Sequence, residues 1–319
     1  MNLSLILTFL LLIIGFVFLI KGADFFVEGS ASIAKQLRVP SLIIGMTIVA
    51  MGTSLPECSV SITASLTGQN SLAVSNAVGS NIFNLMVVCG VCALFTPLAV
   101  KAETLKKDFP FSVICAILLL ALGYFGMVLG RGDGIILLVI FVLFLLYMIK
   151  SALKARAAGI EVEIEGEDTK IIPVWKSILF IILGGAAIAY GGDLVVDSAS
   201  VIATEFGMSP TLVGLTICAI GTSLPELVTS IVAARKNQVD MALGNVIGSN
   251  IFNILFVLGI GSAISPIAFI TENMIDIIIL IVMSLVVWIF AWSRKQIKRL
   301  EGVCMLFMYI VYWIYICIR

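Results

Sequence analysis

The chain has 319 residues, of which 61% are hydrophobic and only 12% charged; nineteen basic and nineteen acidic side chains cancel, and histidine is absent. A typical soluble domain is about 45–50% apolar and about 25% charged, so the composition excludes a soluble globular protein and points to a chain embedded in lipid. Lack of imidazole also removes the usual companion of a zinc site or of a nucleophile that needs a base.

A hydrocarbon core about 30 Å thick takes about 20 apolar residues per helix. Apolar runs divided by charged or Gly/Pro breaks predict about ten spans, roughly 4–30, 40–66, 71–96, 108–129, 133–151, 175–200, 209–234, 240–266, 273–293 and 302–318. The first run carries Lys21, Asp24 and Glu28 near its end and has no small-residue cleavage signature, so it reads as a retained span and not a signal peptide. Asp24 and Glu28, like Asp193 and Asp197 in the sixth run, read as surface or vestibule acids. Cys89 and Cys92 spell C-x-x-C inside a span, where cysteine behaves as a small hydrophobe. "GRGD" at Gly130 to Asp133 resembles the Gly-x-Gly-Asp of intramembrane aspartyl proteases, but it falls between spans with Arg131 beside Asp133 and reads as a solvated turn. Lys150 to Lys170 is short and charged and reads as a linker, leaving no soluble domain. Sixteen of the 19 Lys and Arg fall on one face of this layout, Arg131 and Arg319 on the other, and Lys21 within the first span. The positive-inside rule makes the crowded face cytoplasmic and both termini external.

One stretch occurs twice. Thr47 to Asn84 and Thr216 to Asn253, offset by 169 positions, are identical at about 21 of 38 positions without a gap, and each holds "GTSLPE" and "GSNIFN". The same offset pairs Asp24 with Asp193 and Gly45 with Gly214. The expected architecture is an all-α polytopic membrane protein of about ten transmembrane helices, built as two inverted five-helix repeats with broken helices at the midplane. It forms one transmembrane transport domain over 1–319: repeat one about 1–155, a charged cytoplasmic linker about 150–172, and repeat two about 173–319. An odd number of spans per half inverts the second copy. The turn of the first copy, Thr67 to Asn70, lacks Lys and Arg, whereas the second has Arg235 and Lys236. Inverted halves with interrupted helices place a midplane site between two entrances in many secondary transporters.

Pro56 and Pro225 lack an amide proton, and their rings crowd the carbonyls of Gly52 and Gly221, so each helix must break. Beyond the break Glu57 and Glu226 fall in the first turn of a new half-helix, whose dipole favours a carboxylate. Thr53 and Thr222 sit four residues before these acids, and Asn76, Ser80, Asn84 and Asn245, Ser249, Asn253 make i, i+4, i+8 stripes on the following helices. Such an inventory offers only hard oxygens and suits Ca2+, Na+ or Mg2+. A carboxylate at the bilayer centre costs about 2.5–3.5 kcal/mol on insertion scales. One divalent ion, two monovalent ions or protons could neutralise the pair, and competition among them is the simplest basis for exchange. Asn81 and Asn250 lie about 100° around the helix from Ser80 and Ser249 and read as packing or interhelical hydrogen-bonding residues. Gly79 and Gly248 read as close helix contacts.

At these residues the chain resembles the Ca2+/cation antiporter superfamily, most closely its prokaryotic sodium/calcium exchangers. The resemblance rests on the two "GTSLPE" and two "GSNIFN" segments and covers the four central helices; the other spans match in number and layout. It implies a plasma (inner) membrane transporter, not an enzyme, that exchanges Ca2+ for Na+ without a cofactor. The second, third, seventh and eighth helices would hold ions, and the long first and sixth would slide to switch access. Implied side-chain ligands are Thr53, Ser54, Glu57, Ser80 and Asn84 with Thr222, Ser223, Glu226, Ser249 and Asn253, plus the carbonyls of Ala50 and Ala219. Some relatives carry aspartate where Asn253 stands. Potassium-dependent members end the second motif in Asp, and proton-coupled members show Gly-Asn in place of Gly-Thr-Ser; both departures favour sodium. Ca2+/H+ or K+-dependent exchange and a passive cation channel remain as alternatives. The partners implied are Ca2+, Na+ and the lipid bilayer, with no nucleic acid and no protein partner.

Overall fold

A computed structural model of the chain describes residues 3–67, 70–157, 171–208, 217 and 219–318. Most of the predicted linker, the start of the seventh span and part of the first hairpin turn lie outside these residues. Helix α1 covers Leu3–Leu37. The second span is split into α2, Ser41–Thr53, and α3, Leu55–Leu66, bent by 51°. Helix α4 runs Asn70–Phe83, widens to a π-turn over Asn84–Val88 and continues Cys89–Phe95. After strand β1, Leu98–Ala99, come α5, Phe109–Tyr124, strand β2, Val128–Leu129, and α6, Arg131–Ala157. The second half holds α7, Val174–Glu205, then α8, Ala219–Gly221, and α9, Leu224–Arg235. Helix α10 runs Val239–Phe252, widens over Asn253–Val257 and continues Leu258–Ile264. Strand β3, Ile267–Ala268, α11, Thr271–Arg294, strand β4, Gln296–Ile297, and α12, Arg299–Ile318, complete the chain.

Among the described residues seven helices are long and apolar enough to cross a membrane, and the bent pair α2–α3 makes an eighth. The span expected over 108–129 holds a shorter α-helix. It ends at Tyr124 because Phe125 turns extended and Gly126 and Met127 take φ of +85° and +52°. The all-helical expectation also needs a small correction, since two short antiparallel pairs tie the connectors together. β1 pairs with β4 (Leu98 opposite Ile297) and β2 with β3 (Leu129 opposite Ile267).

Burial sorts the helices. The stretches Leu72–Phe95 and Val239–Ile264 are mostly buried, whereas α1, α6, α7, α11 and α12 turn large apolar side chains outward, as helices facing lipid do. Helices α1 and α7 lie antiparallel and in intimate contact. Gly15, Gly22 and Gly29 recur every seven residues on α1 and meet Gly191, Gly184 and Ser177 on α7. A Cβ on Gly22 would lie 2.9 Å from the Gly184 carbonyl oxygen, and one on Gly184 would lie 2.7 Å from that of Gly22. Small residues let two backbones approach closely where lipid supplies no hydrophobic drive for helix association. Two further close pairs are Gly90 against Gly302, joining α4 to α12, and Gly259 against Gly134, joining α10 to α6.

Candidate functional site

The breaks fall where proline chemistry puts them. Ser54 leaves helical geometry (φ −84°, ψ 14°) as the N-cap of α3, with Pro56 in its first turn; Ser223 (φ −93°, ψ 6°) and Pro225 do the same for α9. Glu57 and Glu226 occupy the first turn of each half-helix and are fully buried. Ser-x-x-Glu is the spacing of a capping box, in which serine and glutamate would serve their own helix end. Among the described residues neither half-helix has a side-chain cap.

The hydroxyls cross to the other copy of the motif instead. Ser54 Oγ donates to Glu226 Oε1 at 2.7 Å, and Ser223 Oγ donates to Glu57 Oε1 at 2.9 Å. Each serine neighbours one glutamate in sequence and bonds the other, so the two motifs share a single buried site. Ser80 Oγ stands 3.5 Å from Glu57 Oε1, and Ser249 Oγ donates to the Ala50 carbonyl at 3.5 Å. Thr53 Oγ1 contacts the Ala50 carbonyl at 3.3 Å and donates to Asn245 Oδ1 at 3.1 Å. The backbone of Ala219 opens α8, where Ser223 N–H turns to the Ile220 carbonyl; its counterpart Ser54 N–H bonds Ala50.

The asparagine stripes divide by role. Asn76 Nδ2 donates to the Glu57 carbonyl at 3.2 Å and to Ser61 Oγ at 3.0 Å, and Asn245 Nδ2 donates to the Glu226 carbonyl at 3.5 Å and to Ser230 Oγ at 2.9 Å. These two amides brace each half-helix against the next helix. Asn84 and Asn253 open the π-turns of α4 and α10, and such bulges recur at functional sites.

A chemically coherent set of atoms is left over. Among the described residues seven buried side-chain oxygens have no hydrogen-bond partner; five of them, Glu57 Oε2, Glu226 Oε2, Asn84 Oδ1, Asn253 Oδ1 and Thr222 Oγ1, belong to the expected ligands, and Ser30 Oγ and Thr229 Oγ1 do not. Buried polar atoms are nearly always satisfied, and an exception calls for an explanation such as a bound ion. Four of the five are obligate acceptors, and all are oxygens, the donors that hard cations select.

Outside the site, Asp193 and Asp197 are exposed, and Asp24 lies at the surface within 3.2 Å of Lys236. Arg131 to Asp133, expected as a solvated turn, instead form the first turn of α6, where Asp133 accepts from Gly130 N–H at 2.8 Å. Gly248 is a tight helix contact, whereas a Cβ on Gly79 would meet nothing within 4 Å among the described residues. The α1–α7 glycine seam was not among the sequence expectations, although its seven-residue spacing is visible in the chain.

The sequence profile of a family described as sodium/calcium exchanger protein matches residues 7–150 and 176–318. The inner membrane protein YrbG of Escherichia coli is 38% identical over 80% of this chain and 81% of its own length. The sodium/calcium exchanger MaX1 of Methanosarcina acetivorans is 32% identical over 89% of this chain and 91% of its own. The solved structure of the sodium-calcium exchanger NCX_Mj soaked with Na+ and Sr2+ superposes with a TM-score of 0.83 at 34% identity, covering 96% of this chain and 98% of that one.

Proposed function

The chain belongs to the sodium/calcium exchanger protein family, and from that premise we propose that it exchanges Ca2+ for Na+ by alternating access. The observation that carries this reading is the pair of buried glutamates joined by crossed serine–glutamate bonds, each with one carboxylate oxygen unpartnered among the described residues. Ca2+ takes six to eight oxygens. The donor set is Glu57 and Glu226 with Thr53, Ser54, Ser80, Asn84, Thr222, Ser223, Ser249, Asn253 and the carbonyls of Ala50 and Ala219. One Ca2+ balances both carboxylates, and Na+ ions can balance them separately. Without a cation, two buried negative charges oppose passage through the intermediate state, and that cost couples the return of the site to the binding of the other ion.

The proposed frame is ten spans in two inverted halves, about 1–155 and 173–319, within one transport domain. Both termini lie outside, and the linker of about 150–172 lies on the cytoplasmic side of the plasma membrane. Several observations support this frame. The family profile matches in two stretches divided near the linker. β1 and β3 start 169 residues apart and β2 and β4 start 168 apart, so the β1–β4 and β2–β3 pairs correspond under the motif offset to within one residue. Gly90 and Gly259 are likewise 169 apart and each meets a glycine of an outer helix. β1–β4 joins two connectors of the Lys-rich face, and β2–β3 joins two of the opposite face. Close contact along the glycine seam favours α1 and α7 moving as one body past the site helices.

Proteoliposome flux tests the reading. Ca2+ uptake is expected to require an opposing Na+ gradient. Conductance without a counter-ion would convert the reading to a channel, and uptake driven by K+ or H+ gradients alone would replace sodium as the driving ion.

A further inference from the structure

Asn81 and Asn250 stand outside the donor set but join its two halves. Asn81 Nδ2 donates to the backbone carbonyl of Asn250 at 3.1 Å, and Asn250 Nδ2 donates to that of Asn81 at 3.2 Å. A carbonyl can only accept, so each amide must present its NH2 there and turn its own oxygen elsewhere. That oxygen is itself engaged, since Asn253 Nδ2 donates to Asn81 Oδ1 at 3.1 Å and Asn84 Nδ2 donates to Asn250 Oδ1 at 3.3 Å. The remaining oxygens, Asn84 Oδ1 and Asn253 Oδ1, are buried and have no partner among the described residues. They lie one helical turn beyond Ser80 and Ser249, the hydroxyls that flank the site.

The two ends of a side-chain amide are nearly equal in size, so shape alone does not choose which end faces a cavity. The choice matters, because an inverted amide would aim two N–H groups at a cation. We propose that Asn81 and Asn250 are positioning residues that fix the amide orientation of Asn84 and Asn253, so that each offers its carbonyl oxygen to the transported cation. The orientation propagates outward from a reciprocal pair: a backbone carbonyl dictates the amide of Asn81, which dictates that of Asn253, and likewise Asn250 dictates that of Asn84. The proposal rests on the cavity being a cation site. It adds to that site two residues that touch no ion.

The test uses a chemical difference between amide and carboxylate. An aspartate at 253 has no N–H to misplace and offers oxygen on both branches, so it has no need of Asn81 as an orienting acceptor. Half-saturating Ca2+ for Na+-driven uptake is measured in wild type, Asn81→Leu, Asn253→Asp and the double variant, each checked for monodispersity. Asn81→Leu is expected to raise half-saturating Ca2+ about tenfold when residue 253 is Asn, the scale of one buried hydrogen bond. In the Asn253→Asp background the same change is expected to shift it by less than about twofold. Equal fold-changes in both backgrounds would mean that Asn81 acts by packing alone, and would overturn the proposal. If Asn81→Leu does not fold, the mirror cycle of Asn250→Leu with Asn84→Asp decides in the same way. Absence of Na+-driven uptake in wild type would instead remove the exchanger reading on which the proposal stands.

Discussion

Gly248→Ala adds a single carbon beside the site. That carbon would lie 2.5 Å from both the Cα and the carbonyl oxygen of Met46, and 2.8 Å from the Cβ of Ala50. Non-bonded carbons rest at about 3.5–4.0 Å, so α10 and α2 must part by about 1 Å. The nearest atoms are mostly backbone, and no rotamer change relieves them. Overpacking of this kind costs about 1–3 kcal/mol. The displaced neighbours are Ser249, whose Oγ reaches the Ala50 carbonyl at 3.5 Å, and Ala50 itself. Ca2+–oxygen contacts span only about 2.3–2.6 Å, so a shift of about 1 Å removes a ligand from the shell. Half-saturating Ca2+ in proteoliposome uptake should rise between about fivefold and a hundredfold, at 1.4 kcal/mol per decade, with a lower thermal midpoint in detergent. Gly132→Ala, whose Cβ meets nothing within 4 Å among the described residues, serves as the control. Unchanged affinity and midpoint for Gly248→Ala would refute the close helix contact and the link from it to the site.

Ser54→Ala and Ser223→Ala should weaken Ca2+ uptake by similar factors, because their crossed bonds to Glu226 and Glu57 differ by only 0.2 Å; a hydrogen bond to a charged group contributes about 1.5–3 kcal/mol. Paired uptake curves check this, and a large effect from one alone would contradict a shared site. Gly22→Leu should lower the thermal midpoint and yield of the protein by forcing α1 from the Gly184 carbonyl, read by thermal unfolding in detergent. Lys236→Gln should change stability by less than about 1 kcal/mol, because its pairing with Asp24 is partly exposed.

Local chemistry was legible in the sequence. Pro56 and Pro225 announce the breaks, and the first turns holding Glu57 and Glu226 follow from backbone rules alone. The duplication foretold that matched residues would meet, but not how. The exchange of Ser54 and Ser223 between motifs joins residues 172 and 166 positions apart, and no helical period encodes it. Periodicity set Asn81 and Asn250 off the donor stripe, yet their reciprocal bonds depend on how α4 and α10 cross. Asn76 and Asn245 fell on the stripe by the same rule, although their nitrogens are spent on bracing. The two β pairs are two residues long, too short for any alternating pattern, and their kinship shows only in offsets of 169 and 168 residues. Gly15, Gly22 and Gly29 were readable as a seam; their partners at Gly184 and Gly191 complete it under that offset.

The claim on which the mechanism turns is that Glu57 and Glu226 act jointly on one cation. The most direct measurement is Na+-driven 45Ca2+ uptake by wild type, Glu57→Gln and Glu226→Gln in matched proteoliposomes. Loss of uptake in both variants, with folded protein in each, is the predicted result. Uptake at the wild-type rate by either variant would contradict it.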